Sequence, residues 1–260
     1  NENEVTDLFG TETINLSPGA SVSSRAIVGQ PLGVLFGTGS KTNPDGSLDL
    51  DENGFPQITS SEIILGDPNP DWRAGIAFNL NYKKFRLNAL VEHSQGGVFS
   101  PRTLHVLNRF GTTEMTANRE TLTQDLVNYA GDVISAGSVV RGNIEDFGAG
   151  AVLLDETWYR TGIGGGFGDN QAYNFSTYDA SFTKLREVTL SYVFDSPNLR
   201  STTGLDNIIV SVSGRNLLNF NNIPGIDPET NQTGVGQAQG LDYFTNPQTK
   251  STFFSVTLNY

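Results

Sequence analysis

The chain has 260 residues, of which 17% are charged and 29 are glycine, with no cysteine and a formal net charge of −12. A disulfide framework and a thiolate metal site are therefore excluded, and the acidic balance argues against a nucleic-acid partner, whose phosphates need a basic face. No run of 18 apolar residues occurs, so a transmembrane helix is excluded, while transmembrane strands, which alternate and give a weak hydropathy signal, are not.

In chain order, the first candidate ligand site is "NPDGSLDLDENG", where Asp45, Asp49, Asp51 and Glu52 cluster near turn residues. Hard cations want clustered carboxylates, but the spacing departs from the calcium-loop pattern, and a solvated acidic turn is the reading adopted. "GTGSKT" places Ser40 where a phosphate-binding loop needs glycine, so it reads as a plain loop.

The clearest strands lie in "DWRAGIAFNLNYKKFRLNALVEHS". Ala74, Ile76, Phe78, Leu80 and Tyr82 share one face by period two, and Phe85, Leu87, Ala89 and Val91 repeat the scheme on the return. Only Lys83 and Lys84 separate the two, which predicts a tight hairpin without the usual Asn-Gly. Further on, Leu122, Leu126, Tyr129, Val133 and Ile134 recur at helical spacing behind Asn118, predicting a short loop helix between Asn118 and Ser135. "TGIGGGFGDN" fails the dinucleotide pattern at Phe167 and reads as a loop. "VTLSYVF" and "NIIVSVSGRN" are two more strands, with Val188, Leu190, Tyr192 and Phe194, and then Ile208, Val210 and Val212, on their apolar faces. The chain closes on "STFFSVTLNY", in which Thr252, Phe254, Val256, Leu258 and Tyr260 alternate and the strand is still running at the last residue.

A soluble sandwich also alternates, so the period alone leaves both architectures open. Connection lengths favour a barrel: short turns on one side and long loops on the other, roughly from Ser94 to Ala180 and from Leu217 to Lys250, are the asymmetry of outer-membrane barrels. Trp72, Tyr82, Phe85, Tyr192, Phe194 and Tyr260 gather at strand ends, where an interfacial girdle needs them. The expected class is thus all-β: an antiparallel transmembrane β-barrel segment of about six or seven strands with long extracellular loops. Ile76, Phe78, Leu80, Leu87, Val91, Leu190 and Val210 are expected to face lipid.

No catalytic set emerges. His93 near a strand top and His105 in a loop have no partner at ligand or nucleophile-base spacing, and both read as rim or loop residues satisfied by water. No enzyme activity, metal or cofactor is expected.

The ordered set "VGQPLGVLFG", "ILGDPNPDWRAGIAFNLNYKKFRL", "YDASFTKLREVTLSYVF", "VSVSGRNLLNF", "GIDPETN" and "STFFSVTLNY" resembles the C-terminal end of the SusC/RagA family of TonB-linked outer-membrane transporters. The resemblance implies a barrel of about 22 strands with a plugged lumen; six or seven strands cannot close, and an open edge cannot sit in hydrocarbon. Residues 1–260 are therefore expected to be a barrel segment without a plug domain, completed by the rest of the polypeptide or by another chain. It further implies import of oligosaccharides or oligopeptides, contact with outer-membrane lipid, a SusD-like surface lipoprotein as partner, and TonB engaged through a part not in this chain. A structural or secretion-machinery role for the same barrel, and a soluble binding module, are the alternatives. By the same analogy Phe254, Val256, Leu258 and Tyr260 are expected to act as the barrel-assembly signal. For substrate contact the pool is the loop aromatics Trp158, Tyr159, Tyr173, Phe175, Tyr178, Tyr243 and Phe244, since flat apolar rings stack on sugars and line peptide clefts.

Overall fold

In the computed structural model, residues 4–17, 21–161, 163–164, 171–233, 236 and 239–260 are described. They form two compact units. One comprises Pro70–Gly96, Ala180–Asn222 and Pro247–Tyr260, and the other Asn1–Asn69, Gly97–Asp179 and Ile223–Asn246.

The first unit is a single antiparallel sheet of five strands: β1 (Trp72–Tyr82), β2 (Phe85–Gln95), β3 (Phe182–Phe194), β4 (Asn207–Asn221) and β5 (Ser251–Asn259), in the order β5-β4-β3-β2-β1. Five strands, not six or seven, carry the long alternating pattern; the other strands are short and lie in the second unit. The hairpin from β1 to β2 turns at Lys83 and Lys84, with Tyr82 opposite Phe85. Lys83 takes the left-handed conformation at φ 53° that Asn or Gly would otherwise supply. Lys84 is held by an ion pair to Asp195 at 2.7 Å and by its carbonyl, which accepts from the Val193 N–H at 2.9 Å. Between β3 and β4 the short connection is a helix, α3 (Pro197–Thr203), capped by the Ser196 hydroxyl and ended by Gly204 at φ 76°.

Register decides which side chains share a face. Leu80, Leu87, Leu190, Val212 and Phe254 are successive partners across all five strands, and Tyr82, Phe85, Tyr192, Val210 and Val256 form the next row. On the opposite face Asn81, Arg86, Ser191, Ser211 and Ser255 make one row, and Asn79, Asn88, Thr189, Ser213 and Phe253 another. A bulge at Arg186 in β3 separates Leu185 from Glu187. The extra residue reverses the parity, so Thr183 and Leu185 before it and Val188 and Leu190 after it stay on the apolar side.

All seven residues expected to face lipid lie on this one apolar face. Nothing in the unit covers it: Ile76 is 70% exposed, Leu80 49% and Phe254 83%, a patch far beyond scattered surface leucines. The aromatic ends are also paired, with Phe85 and Tyr192 rings 4.8 Å apart, Tyr192 and Phe194 4.6 Å apart, and Trp72 against His93 at 4.9 Å.

The second unit holds a four-stranded sheet, Thr13–Ser17, Val22–Ile27, Val34–Gly37 and Ile63–Gly66 in sequence order. Around it stand short two- and three-stranded ladders and the helices α1 (Arg102–Arg109) and α2 (Glu156–Arg160). The helix expected between Asn118 and Ser135 is absent. That stretch instead forms the strands Arg119–Thr121, Leu126–Val127 and Val133–Ile134. Asn128 accepts from the N–H groups of Ala130 and Asp132, and Gly131 is left-handed at φ 86°, so turn chemistry interrupts any helix there. The four-residue spacing of Leu122 and Leu126 reflects their packing with Leu153 in one buried cluster.

The apolar face sets a direct test. If hydrocarbon covers it, Leu80→Arg costs about 2–4 kcal/mol near the bilayer midplane and lowers the amount of assembled protein, whereas Asn79→Arg on the opposite face assembles like the parent. Heat-modifiable protein in outer-membrane fractions measures both, and equal amounts would contradict the assignment.

Candidate functional site

Two surfaces can meet a solute: the polar face of the five-stranded sheet, and the second unit's exposed groups. On the sheet, the polar face is built from paired charges and hydroxyls. Arg186, the bulged residue, donates from Nε to Glu92 at 2.7 Å, and Arg215 donates to Glu187 at 3.1 Å. Thr189 meets Ser213 at 2.7 Å and the Ser211 hydroxyl donates to Ser191 at 2.9 Å. Lys184 is buried, its ammonium 4.8 Å from the Phe182 ring. The Arg186–Glu92 pair is partly buried and the Arg215–Glu187 pair exposed, which suits a wall facing water or polar solute. The sequence alone does not pair Glu187 with Arg215, because the Arg186 bulge that sets the register leaves no period-two signature.

In the second unit, the seven loop aromatics divide sharply. Trp158, at 4% exposure, is stacked among Phe55, Tyr129 and Phe147, with ring centroids 5.5 to 5.7 Å away. Tyr159 is buried in the same cluster, and its phenol oxygen accepts from the Asn143 amide at 2.8 Å. Burial pushes that phenol's pKa upward. Tyr173 fills a second core with Val22, Leu35 and Leu241. These three rings are therefore packing elements, and their faces are taken up within the unit. Phe175 sits at the margin of the aromatic cluster, 5.8 Å from Phe147, and is partly exposed; Tyr178 is half-buried. Tyr243 is half-buried and carries the Arg102 guanidinium over its ring at 4.6 Å. Phe244 is 55% exposed in a left-handed conformation at φ 51°, and its N–H donates to the Thr103 hydroxyl at 2.6 Å. A bulky residue held in that region is strained, and such strain collects at functional positions.

The acidic turn spends its carboxylates locally. Asp45 accepts from the Ser47 N–H and hydroxyl, which lowers its pKa. Asp51 accepts from the N–H groups of Asn53 and Phe55, and Asp49 pairs with Lys41 at 2.5 Å. Among the described residues no group of three potential metal ligands converges. The glycine-rich stretch at 161–170 lies largely outside the described residues.

The histidines differ from the solvated pair expected. His93 bonds to Thr183 Oγ1 at 2.8 Å and lies against Trp72. His105 is fixed on α1 because Leu104, His105, Val106 and Asn108 form the buried stripe of a helix that strand patterning concealed. Burial pushes its pKa down to about 4.

No family model matches the chain. The chain is 28% identical over 224 residues to TonB-dependent receptor P3 of Formosa agariphila, covering 84% of this chain and 19% of that protein. It is 25% identical over 291 residues to TonB-dependent receptor P26 of the same organism, covering 99% of this chain and 26% of that protein. Among solved structures, the RagAB peptide importer in its closed-closed state superposes with a TM-score of 0.58 at 16% identity, over 98% of this chain and 26% of that one. The RagAB peptide transporter gives 0.57 at the same identity. The chain is thus similar in sequence to TonB-dependent receptors, and its fold is that of part of the RagAB barrel. It spans about a fifth to a quarter of the length of the curated relatives it matches. In this fold the five strands, with one bare apolar face and one charge-paired face, are barrel wall.

A buried neutral histidine makes the second unit acid-sensitive. Its proton affinity is lower in the folded state than the ordinary 6.5, so the unfolded chain takes the proton first. Stability is full above about 6.5 and falls as pH drops toward about 4. Limited proteolysis across that range should show increasing cleavage between 97 and 179, and His105→Gln should flatten the dependence.

Proposed function

We propose that this segment supplies barrel strands and extracellular loops to a TonB-dependent nutrient importer in the outer membrane of a Gram-negative bacterium. The observation that carries the proposal is the sheet itself: one uncovered apolar face, suited to lipid, and one face of paired charges and hydroxyls, suited to a polar lumen. Sequence likeness to TonB-dependent receptors supports the import role. The fold likeness to a peptide importer favours oligopeptides over oligosaccharides as cargo. A SusD-like surface lipoprotein lying over the long loops, and TonB acting through another part of the polypeptide, complete the assembly in this reading. Of the loop aromatics, Phe175, Tyr178, Tyr243 and Phe244 are the proposed cargo contacts, because their rings reach the surface. In this reading the work of the segment is recognition and passage.

Topology and transport test this separately. Protease added to intact cells should cut within Gly96 to Ala180 or Leu217 to Lys250 and spare Lys83; cleavage at Lys83 without lysis would reverse the orientation. Uptake of labelled oligopeptides should vanish when the cell's TonB is deleted, and persistence of uptake would remove the import role. Phe244→Ala should weaken peptide binding by several-fold, the loss of about 0.5–1.5 kcal/mol that one aromatic contact contributes, without lowering the amount of assembled receptor.

A further inference from the structure

Within the second unit lies a cavity of about 360 Å³ that none of the loop aromatics proposed above as cargo contacts lines. That volume is in the range of small-ligand sites. Leu153 of the buried leucine cluster, with Ile134 and Val140, which are partly buried and packed against that cluster, gives it an apolar wall. Arg109, Arg141 and Arg160 line it as well, against the two carboxylates of Asp155 and Glu156.

The bonding of these charges is uneven. Glu156 is paired with Arg160 at 2.5 Å. Asp155 is committed as the cap of α2, accepting from the Thr157 N–H and hydroxyl, with its second oxygen taking the Asn128 amide at 3.0 Å. Arg141 is different. Its Nε donates to the Thr116 carbonyl at 2.7 Å and its Nη2 to the Gly111 carbonyl at 2.5 Å. Carbonyls orient a guanidinium without neutralising it. Among the described residues no carboxylate forms an ion pair with Arg141. The left-handed Gly111, at φ 67°, permits this approach, since a side-chain carbon there would stand 3.1 Å from Nη2.

A fixed, unneutralised guanidinium beside an apolar wall is the arrangement that recognises a carboxylate attached to an apolar body. We infer that this cavity binds such a ligand, with Arg141 as the carboxylate anchor and the Ile134, Val140 and Leu153 wall taking the apolar part. A short apolar peptide ending in a free carboxylate fits, and so does a medium-chain fatty acid, which shares the chemistry. Binding here is independent of import and is read at equilibrium.

The test uses the whole receptor in detergent and isothermal titration with N-acetyl-leucyl-leucine as free acid, its C-terminal amide, and octanoate. The acid should bind at least tenfold more tightly than the amide, and Arg141→Gln should remove that preference while leaving the heat-modifiable shift intact. Val140→Trp, which fills the cavity, should abolish binding of the acid. Competition by octanoate for the same site would confirm carboxylate recognition and name lipid as a source; lack of competition, with the acid preference kept, would name the peptide. Equal binding of acid and amide by the parent protein, or binding of neither, overturns the inference without any variant, and so does an acid preference that survives in Arg141→Gln.

Discussion

The structure depends on strand register. A sheet has a side-chain period of two, so a slip of one residue anywhere would carry an entire apolar row to the polar side. Here five strands keep Leu80, Leu87, Leu190, Val212 and Phe254 in line, and the bulge at Arg186 preserves that line through a change of parity. The same bulge sends Arg186 to Glu92, so the device that keeps the apolar face continuous also builds the charge pairing on the other face. Anchors at the short connections hold the register: the left-handed Lys83, the Lys84–Asp195 pair, and the capped helix between Ser196 and Gly204.

The second unit answers to different physics. Its strands are too short to be stabilised by ladders alone, and it folds around three apolar clusters. The largest is aromatic, with Phe55 fully buried beneath Tyr129, Phe147 and Trp158. Turn carboxylates and amides, such as Asp51, Asp155 and Asn128, satisfy the backbone of long connections that ladders leave unpaired. Among the described residues His105 Nδ1 and Asp242 Oδ2 are buried without a hydrogen-bond partner, and burial lowers the histidine's pKa.

The two units expose different kinds of surface. On the polar face of the sheet Arg186 is paired with Glu92 and Arg215 with Glu187. Arg141, oriented by carbonyls alone, offers a localised positive charge instead, and Phe244 offers a flat apolar one.

The barrel strands, the hairpin at Lys83 and Lys84, the single apolar face and the likeness to SusC/RagA proteins were all legible in the amino-acid order, because alternation over ten residues is a local property. The acidic turn was also legible, since Asp and Asn bond their own neighbours. What tertiary structure decided was which aromatics pack inward. Trp158, Tyr159 and Tyr173 carry the same local signal as Phe244, and only the clusters that close over them distinguish core from surface. The buried His105 and the strands that replaced the helix after Asn118 belong with these, because both depend on partners distant in the chain: Ser176 for the histidine, and Leu153 for Leu122 and Leu126. Arg141 depends on tertiary structure most of all. No pattern around it marks a binding residue, and its character comes from carbonyls at positions 111 and 116 that folding alone brings to its side.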